Sequence, residues 1–97
     1  MATFIMLMNL TDEGIKGIKD AAARRAEAEK ILGQLGGEIK ASYMTMGSFD
    51  RVIVVDFPDG NGMAKFAIAL GSRGFARSTT LRAFDTDEAA AIIAGAP

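Results

Sequence analysis

The residues with the clearest chemical potential are Tyr43, the single tyrosine of the chain, and Asp56. A phenol and a carboxylate on an enclosed, partly apolar surface can act as an acid–base pair or orient a substrate. The alternative is that Asp56 forms a structural ion pair with an arginine, within the chain or across a dimer. Arg77 and Arg82 are the expected partners for that ion pair.

Three arginines, Arg73, Arg77 and Arg82, follow the second predicted helix. An arginine matches the geometry of a carboxylate or phosphate, so these residues are candidates for binding an anionic ligand. Arg77 and Arg82 are separated by an odd number of residues, and a regular strand places such residues on opposite faces. At most one of the two is therefore expected on a shared binding surface, and surface charge is the alternative interpretation.

Two absences narrow the chemistry further, because the chain contains no cysteine and no histidine. It can form no disulfide and offers no thiolate nucleophile, Cys-ligated zinc site or histidine-based triad. The acidic residues do not follow the spacing of a calcium-binding loop. We therefore expect neither a metal nor a cofactor.

The composition indicates a globular protein, with residues 1–97 forming one domain. A net charge of −1 does not favour nucleic acid as a partner, since phosphate binding requires clustered Lys and Arg. No apolar run approaches the roughly 20 residues needed to span a bilayer, so no membrane partner is expected. The start "MATFIMLMNL" lacks a basic region and cleavage site, which favours a strand and a cytoplasmic location.

Alternating and helical patterns predict the order β-α-β-β-α-β, followed by a short C-terminal helix. Thr11 and Asn61 are the expected N-caps of the two main helices, and Asp85 or Thr86 that of the last. This order is typical of an α+β, ferredoxin-like fold with a four-stranded antiparallel sheet and both main helices on one face. The predicted strands are 2–9, 38–46, 51–57 and 75–84, and the predicted main helices are 12–35 and 63–70.

The second sheet face is expected to remain apolar, because the first strand is apolar on both sides. A large uncovered apolar face is rare in soluble monomers. The sequence therefore predicts a homodimer or higher oligomer that packs sheet against sheet, and the chain itself is the expected partner.

The stretch 47–50 is interpreted as the turn of a hairpin that pairs Met46 with Arg51. Gly47, Phe49 and Asp50 then have structural roles in the turn. This register places Tyr43, Thr45 and Asp56 on the open face, together with Val52 and Val54. It places Met44, Met46, Ile53, Val55 and Phe57 towards the helices.

These motifs together resemble the GYD domain family of small bacterial proteins over roughly residues 4–84. The matching segments are "LTDEG", "RAEAEKILGQLGGEIK", "YMTMGSFD", "FPDG" and "LGSRG" with "TLRAF". The resemblance implies a ferredoxin-like protomer of the dimeric α+β barrel type, and it implies no established activity. Phe49 stands where the Gly-Tyr-Asp signature has its tyrosine, so this chain has no phenol for acid–base work at that position.

The leading hypothesis is a small-molecule-binding domain that acts as a homo-oligomer. Its ligand would lie on the open sheet face, where the polar groups are Tyr43, Thr45, Asp56 and either Arg77 or Arg82. A cofactor-independent enzyme of the monooxygenase or isomerase type is an alternative that rests on analogy between folds. A purely structural or regulatory oligomer is the third interpretation.

Overall fold

Four strands form one antiparallel sheet in the computed structural model, which describes residues 1–97. The strands are ordered β2-β3-β1-β4 across the sheet. Together with the helices they form the predicted ferredoxin-like α+β arrangement. None of the helices combines the length and the apolar character that a membrane span requires. The strands are β1 (Ala2–Leu10), β2 (Glu38–Met44), β3 (Arg51–Phe57) and β4 (Ala76–Ala83), and the helices are α1 (Asp12–Lys16), α2 (Ala21–Gln34), α3 (Gly60–Ser72) and α4 (Thr86–Gly95).

The hydrophobic core lies on the sheet face that packs against α2 and α3. Alternate residues of the two central strands are buried there, while Leu32 of α2 and Met63 and Phe66 of α3 cover them. Both helices therefore lie on one side of the sheet, as the ferredoxin-like order of the elements predicts. The strand residues of this core are Phe4, Met6 and Met8 of β1 and Ile53, Val55 and Phe57 of β3.

The prediction of one helix over 12–35 is wrong, because the segment divides at Gly17. Residues 12–16 form α1, residues 18–20 form a 3₁₀ turn, and α2 begins at Ala21. Arg24 donates hydrogen bonds from α2 to the carbonyl oxygens of Gly17 (2.8 Å) and Gly14 (3.3 Å), which holds the two pieces together. The Gly17 carbonyl also accepts the Asp20 amide at 2.9 Å, so the side chain of Arg24 adds to the backbone bonding at the break.

Two of the three predicted helix caps are confirmed, and the third is corrected. Thr11 accepts a hydrogen bond from the amide of Gly14, and Asp85 forms a reciprocal capping box with Glu88. Asn61 is not a cap, since it lies inside α3. The cap of α3 is Asp59, whose Oδ1 accepts from the Gly62 amide at 2.9 Å.

The hairpin has a longer loop than predicted, and its register differs by two residues. Met44, rather than Met46, pairs with Arg51, and Tyr43 pairs with Val52. A shift of two preserves which face each residue occupies. The assignment of the methionines to the helix-covered core is nevertheless wrong, because Met44 and Met46 are 89% and 95% exposed at the uncovered end of the sheet.

A β-bulge interrupts β2 between Ile39 and Ala41. Ile39 pairs with Val55 and packs against the core, whereas Ala41 pairs with Val54 on the opposite face. Residues two positions apart in a regular strand point to the same face. The extra residue, Lys40, therefore moves the side chains that follow it to the opposite face. The bulge lets one end of β2 contact the helices while Tyr43 points to the other face.

Candidate functional site

The sheet face opposite the helices is the candidate functional site, and we call it the open face. Its centre is apolar, since Ile5 and Leu7 of β1 lie beside Val52 and Val54 of β3. All four side chains keep part of their surface accessible. Leu81 of β4, which pairs with Ile5, is 44% exposed and extends this apolar centre to the sheet edge.

One end of the open face carries a carboxylate that is already bonded within the chain. Asp56 accepts a 2.6 Å hydrogen bond from the hydroxyl of Thr3, and the Lys40 ammonium lies 3.9 Å from its other oxygen. Only 15% of the Asp56 side chain is exposed. The structural ion-pair interpretation thus applies within the chain, but the cation is Lys40 instead of Arg77 or Arg82.

The other end of the open face carries Arg77. Arg77 pairs with Asn9, and Asp56 pairs with Thr3, so the two charged residues lie at opposite ends of β1. Six residues of strand correspond to about 20 Å. The structure therefore does not bring Arg77 and Asp56 together within one chain.

Tyr43 shares the open face with Asp56 but lies some distance along it. Tyr43 pairs with Val52, four residues from Asp56 on β3, which corresponds to about 13 Å. The Tyr43 side chain is 60% exposed. An acid–base pair between the two residues is out of reach in one chain, and any shared ligand must span this distance or contact a second copy.

Arg82 lies on the opposite face from Arg77, as the odd spacing indicates. Its guanidinium packs over the rings of Phe4 (5.6 Å) and Phe84 (4.3 Å) and donates to the backbone carbonyl of Thr3 (3.2 Å). Glu88 of α4 lies 3.5 Å away. Arg82 thus fastens the start of α4 to the sheet, and Arg77 is the arginine of this pair on the open face.

Thr45 and the residues of the turn bond to one another. The Thr45 hydroxyl donates to the carbonyl oxygen of Phe49 (2.6 Å), and its amide donates to that of Asp50 (2.9 Å). Gly47 adopts a φ of +97°, a left-handed conformation that favours glycine. The Thr45 hydroxyl is therefore engaged within the loop.

Asp50 connects the turn to the central strand, a contact that the sequence pattern did not reveal. Its Oδ2 accepts from the Leu10 amide at 2.8 Å, and its own amide donates to the Met8 carbonyl at 2.8 Å. The carboxylate thus satisfies a donor of β1 beyond the end of the β3 ladder. The partner lies 40 residues away, so a local turn pattern carries no signal for it.

Replacement of Asp50 by alanine should destabilise the fold by about 1–3 kcal/mol, because it leaves the partly buried Leu10 amide without an acceptor. Urea denaturation followed by circular dichroism measures this change. Asp20→Ala is the matched control, since the Asp20 side chain makes no capping hydrogen bond, and we expect a change within about 0.5 kcal/mol. Equal effects of the two substitutions would contradict the assigned contact.

Comparison with known proteins identifies the family. The model of the GYD domain matches residues 4–93, which is nearly the whole chain. The chain belongs to the GYD domain family. This GYD domain is also 34% identical over 84 residues to a protein of Thermus thermophilus, an alignment that covers 86% of this chain and 88% of the relative. The relative is named "Glutamine synthetase and cystathionine beta-lyase binding protein". No solved structure gives a significant match.

Proposed function

We propose that this GYD domain is a binding protein that assembles with itself through the open face and, in assembled form, binds another protein. The observation that carries the proposal is the uncovered apolar centre of the open face. This apolar surface extends over the central strands β1 and β3 to Leu81 of β4. A partner that covers it would therefore bury side chains of all three strands. Contiguous apolar surface of this kind marks interaction sites in soluble proteins.

The charges at the ends of the open face favour a second copy of the chain as the occupant. Asp56 and Lys40 lie at one end, and Arg77 lies at the other. A second copy rotated end for end by a two-fold axis would place its Arg77 near Asp56 of the first, and the reverse contact would follow by symmetry. The apolar centres would then meet each other.

The name of the Thermus thermophilus relative supports the second half of the proposal. That relative is named for binding glutamine synthetase and cystathionine beta-lyase, and its similarity extends over most of both chains. We propose enzymes of these two kinds as partners of the present GYD domain. The chain would then act on metabolism by binding an enzyme and would not itself need a catalytic group.

The small-molecule ligand expected on the open face stays a prediction within this proposal. Tyr43 and Asp56 are too far apart to hold one small ligand in a single chain, so a binding pocket would need side chains of the second copy. In the end-for-end arrangement, such a pocket would combine Asp56 of one copy with Arg77 of the other.

A Val54→Arg substitution should abolish self-association, because it places a charge in the centre of the apolar surface. Light scattering coupled to size-exclusion chromatography should give at least twice the 10.2 kDa chain mass for the wild type and 10.2 kDa for the variant. Ile18→Arg is the matched control, since Ile18 is 49% exposed in the 3₁₀ turn that contacts α2 on the helix side of the sheet. A wild-type monomer at micromolar concentration, or dissociation by Ile18→Arg alone, would refute the assembly.

Partner binding is tested separately with purified bacterial glutamine synthetase and cystathionine beta-lyase. The immobilised GYD domain should bind at least one enzyme in biolayer interferometry, and the Val54→Arg variant should lose this binding because only the assembled form binds the partner. Serum albumin is the negative control. An assembly that binds neither enzyme would remove the partner proposal and leave the self-association result intact.

A further inference from the structure

A second feature lies on the other side of the sheet, where a cavity of about 110 Å³ opens between α2, the end of α3 and the strands. Ten of its sixteen lining residues are hydrophobic, with Met8, Ile53, Phe66 and Phe75 among them. Four of the remaining six are arginines, namely Arg24, Arg25, Arg51 and Arg73. An apolar chamber with convergent polar groups is the usual form of a small-molecule site.

Two of these arginines are already occupied by contacts within the chain. Arg24 bonds to the backbone carbonyls of Gly14 and Gly17 and stacks over Phe75 at 4.6 Å. Arg73 forms an ion pair with Glu27. Their roles are therefore structural.

The other two arginines have unused hydrogen-bonding capacity. Arg51 donates one hydrogen bond, to the Ser42 hydroxyl at 2.8 Å, and forms no ion pair with a carboxylate. Arg25 forms no ion pair and no side-chain hydrogen bond. Since each guanidinium carries five donors, most of the donors of this pair remain free to bind a ligand.

The surroundings of Arg51 favour an anion. Burial lowers the pKa of the Arg51 guanidinium, the charge of Arg25 lowers it further, and Glu29 acts in the opposite direction. The second acid of the cavity, Asp50, already accepts the Leu10 amide. An anion between Arg25 and Arg51 would stabilise both cations, and a carboxylate matches their planar geometry.

We propose that this cavity binds a small amphipathic carboxylate, with its carboxylate held by Arg25 and Arg51 and its apolar group among Met8, Ile53 and Phe66. The volume limits the apolar group, because a cavity of about 150 Å³ is filled by benzene. A branched chain of about four carbons is the appropriate size by this comparison. The site is separate from the open face and does not depend on self-association.

The test is a ¹H–¹⁵N NMR titration of the full chain with isovalerate. We expect saturable shifts of amides around the cavity, such as those of Ile53 and Leu10. Isovaleramide, which has the same shape without the charge, should bind at least roughly tenfold more weakly, as should inorganic phosphate, which lacks the apolar group. Equal binding of either compound, or no saturable shift with isovalerate, would overturn the proposal.

Substitutions assign the binding to the two arginines. Arg51→Gln should weaken isovalerate binding roughly tenfold or more, since it removes a charge-assisted contact. Arg25→Gln should act in the same direction, and because Arg25 is exposed it keeps the test valid if Arg51→Gln does not fold. Lys65→Gln, at an exposed position of α3 that does not line the cavity, should leave the affinity unchanged. Unchanged affinity in Arg25→Gln, or an equal loss in Lys65→Gln, would show that the anion binds elsewhere.

Discussion

A Phe57→Ala variant should lose about 3–5 kcal/mol of its free energy of unfolding. Phe57 is completely buried at the end of β3, and its ring centroid lies 5.7 Å from that of Phe66 of α3. The substitution removes the aromatic contact between sheet and helix and leaves a cavity that the packed core can fill only in part. Urea denaturation at a fixed chain concentration measures the loss, since self-association would make the stability depend on concentration.

Phe84→Ala is the matched control for this experiment. Phe84 is 48% exposed, and its ring contacts the Arg82 guanidinium instead of the core. Loss of an exposed cation–π contact should cost no more than about 1 kcal/mol. If Phe84→Ala destabilised the protein as much as Phe57→Ala, the core would not lie where the structure places it.

Gly14→Ala should destabilise the protein by about 3 kcal/mol, at the upper end of the usual cost of overpacking. A Cβ at Gly14 would overlap the carbonyl oxygen of Phe75 and lie 3.1 Å from its carbonyl carbon. This carbonyl cannot easily move, because it accepts a 3.1 Å hydrogen bond from the Thr11 amide. Helix propensity alone predicts the opposite sign, since Ala is favoured over Gly by up to about 1 kcal/mol inside a helix.

Gly33→Ala separates these two effects. Gly33 lies in α2 with no neighbouring atom within 4 Å of an added Cβ. The higher helix propensity of alanine is then not offset by a steric clash. The variant should therefore be more stable by up to about 1 kcal/mol. Thermal denaturation of both variants should therefore show shifts of opposite sign. A stabilising Gly14→Ala would show that α1 does not pack closely against Phe75.

The order of the elements and the faces of β3 were predictable, because each element has a local pattern and residues that alternate along β3 lie on alternate faces. The faces of β1 were not, because this strand is apolar on both sides. The errors arose where distant residues intervene. The break at Gly17 is held by Arg24, and the end of the hairpin loop is anchored by the hydrogen bond from the Leu10 amide to the Asp50 carboxylate. No local periodicity reports on either contact.

The candidate sites differ in how far the sequence could reveal them. Parity along the strands correctly places Tyr43 and Asp56 on one face and separates Arg77 from Arg82. Alternation along a strand does not predict how far apart two residues lie on the same face. It also does not predict the bulge that brings Lys40 close to Asp56. In the sequence, Arg24 and Arg25 look like ordinary charged residues on the solvent side of a helix. The cavity that both residues line is formed only where α2 packs against the sheet.

The position of β1 in the sheet has a consequence for synthesis of the chain on the ribosome. β1 lies between β3 and β4, so it pairs only with strands that are made after it. One edge of β1 stays unpaired until residue 57 has emerged, and the other until residue 83. Such non-local pairing folds slowly and exposes strand edges meanwhile. This apolar strand therefore has unpaired edges that are open to aggregation until both β3 and β4 have been made.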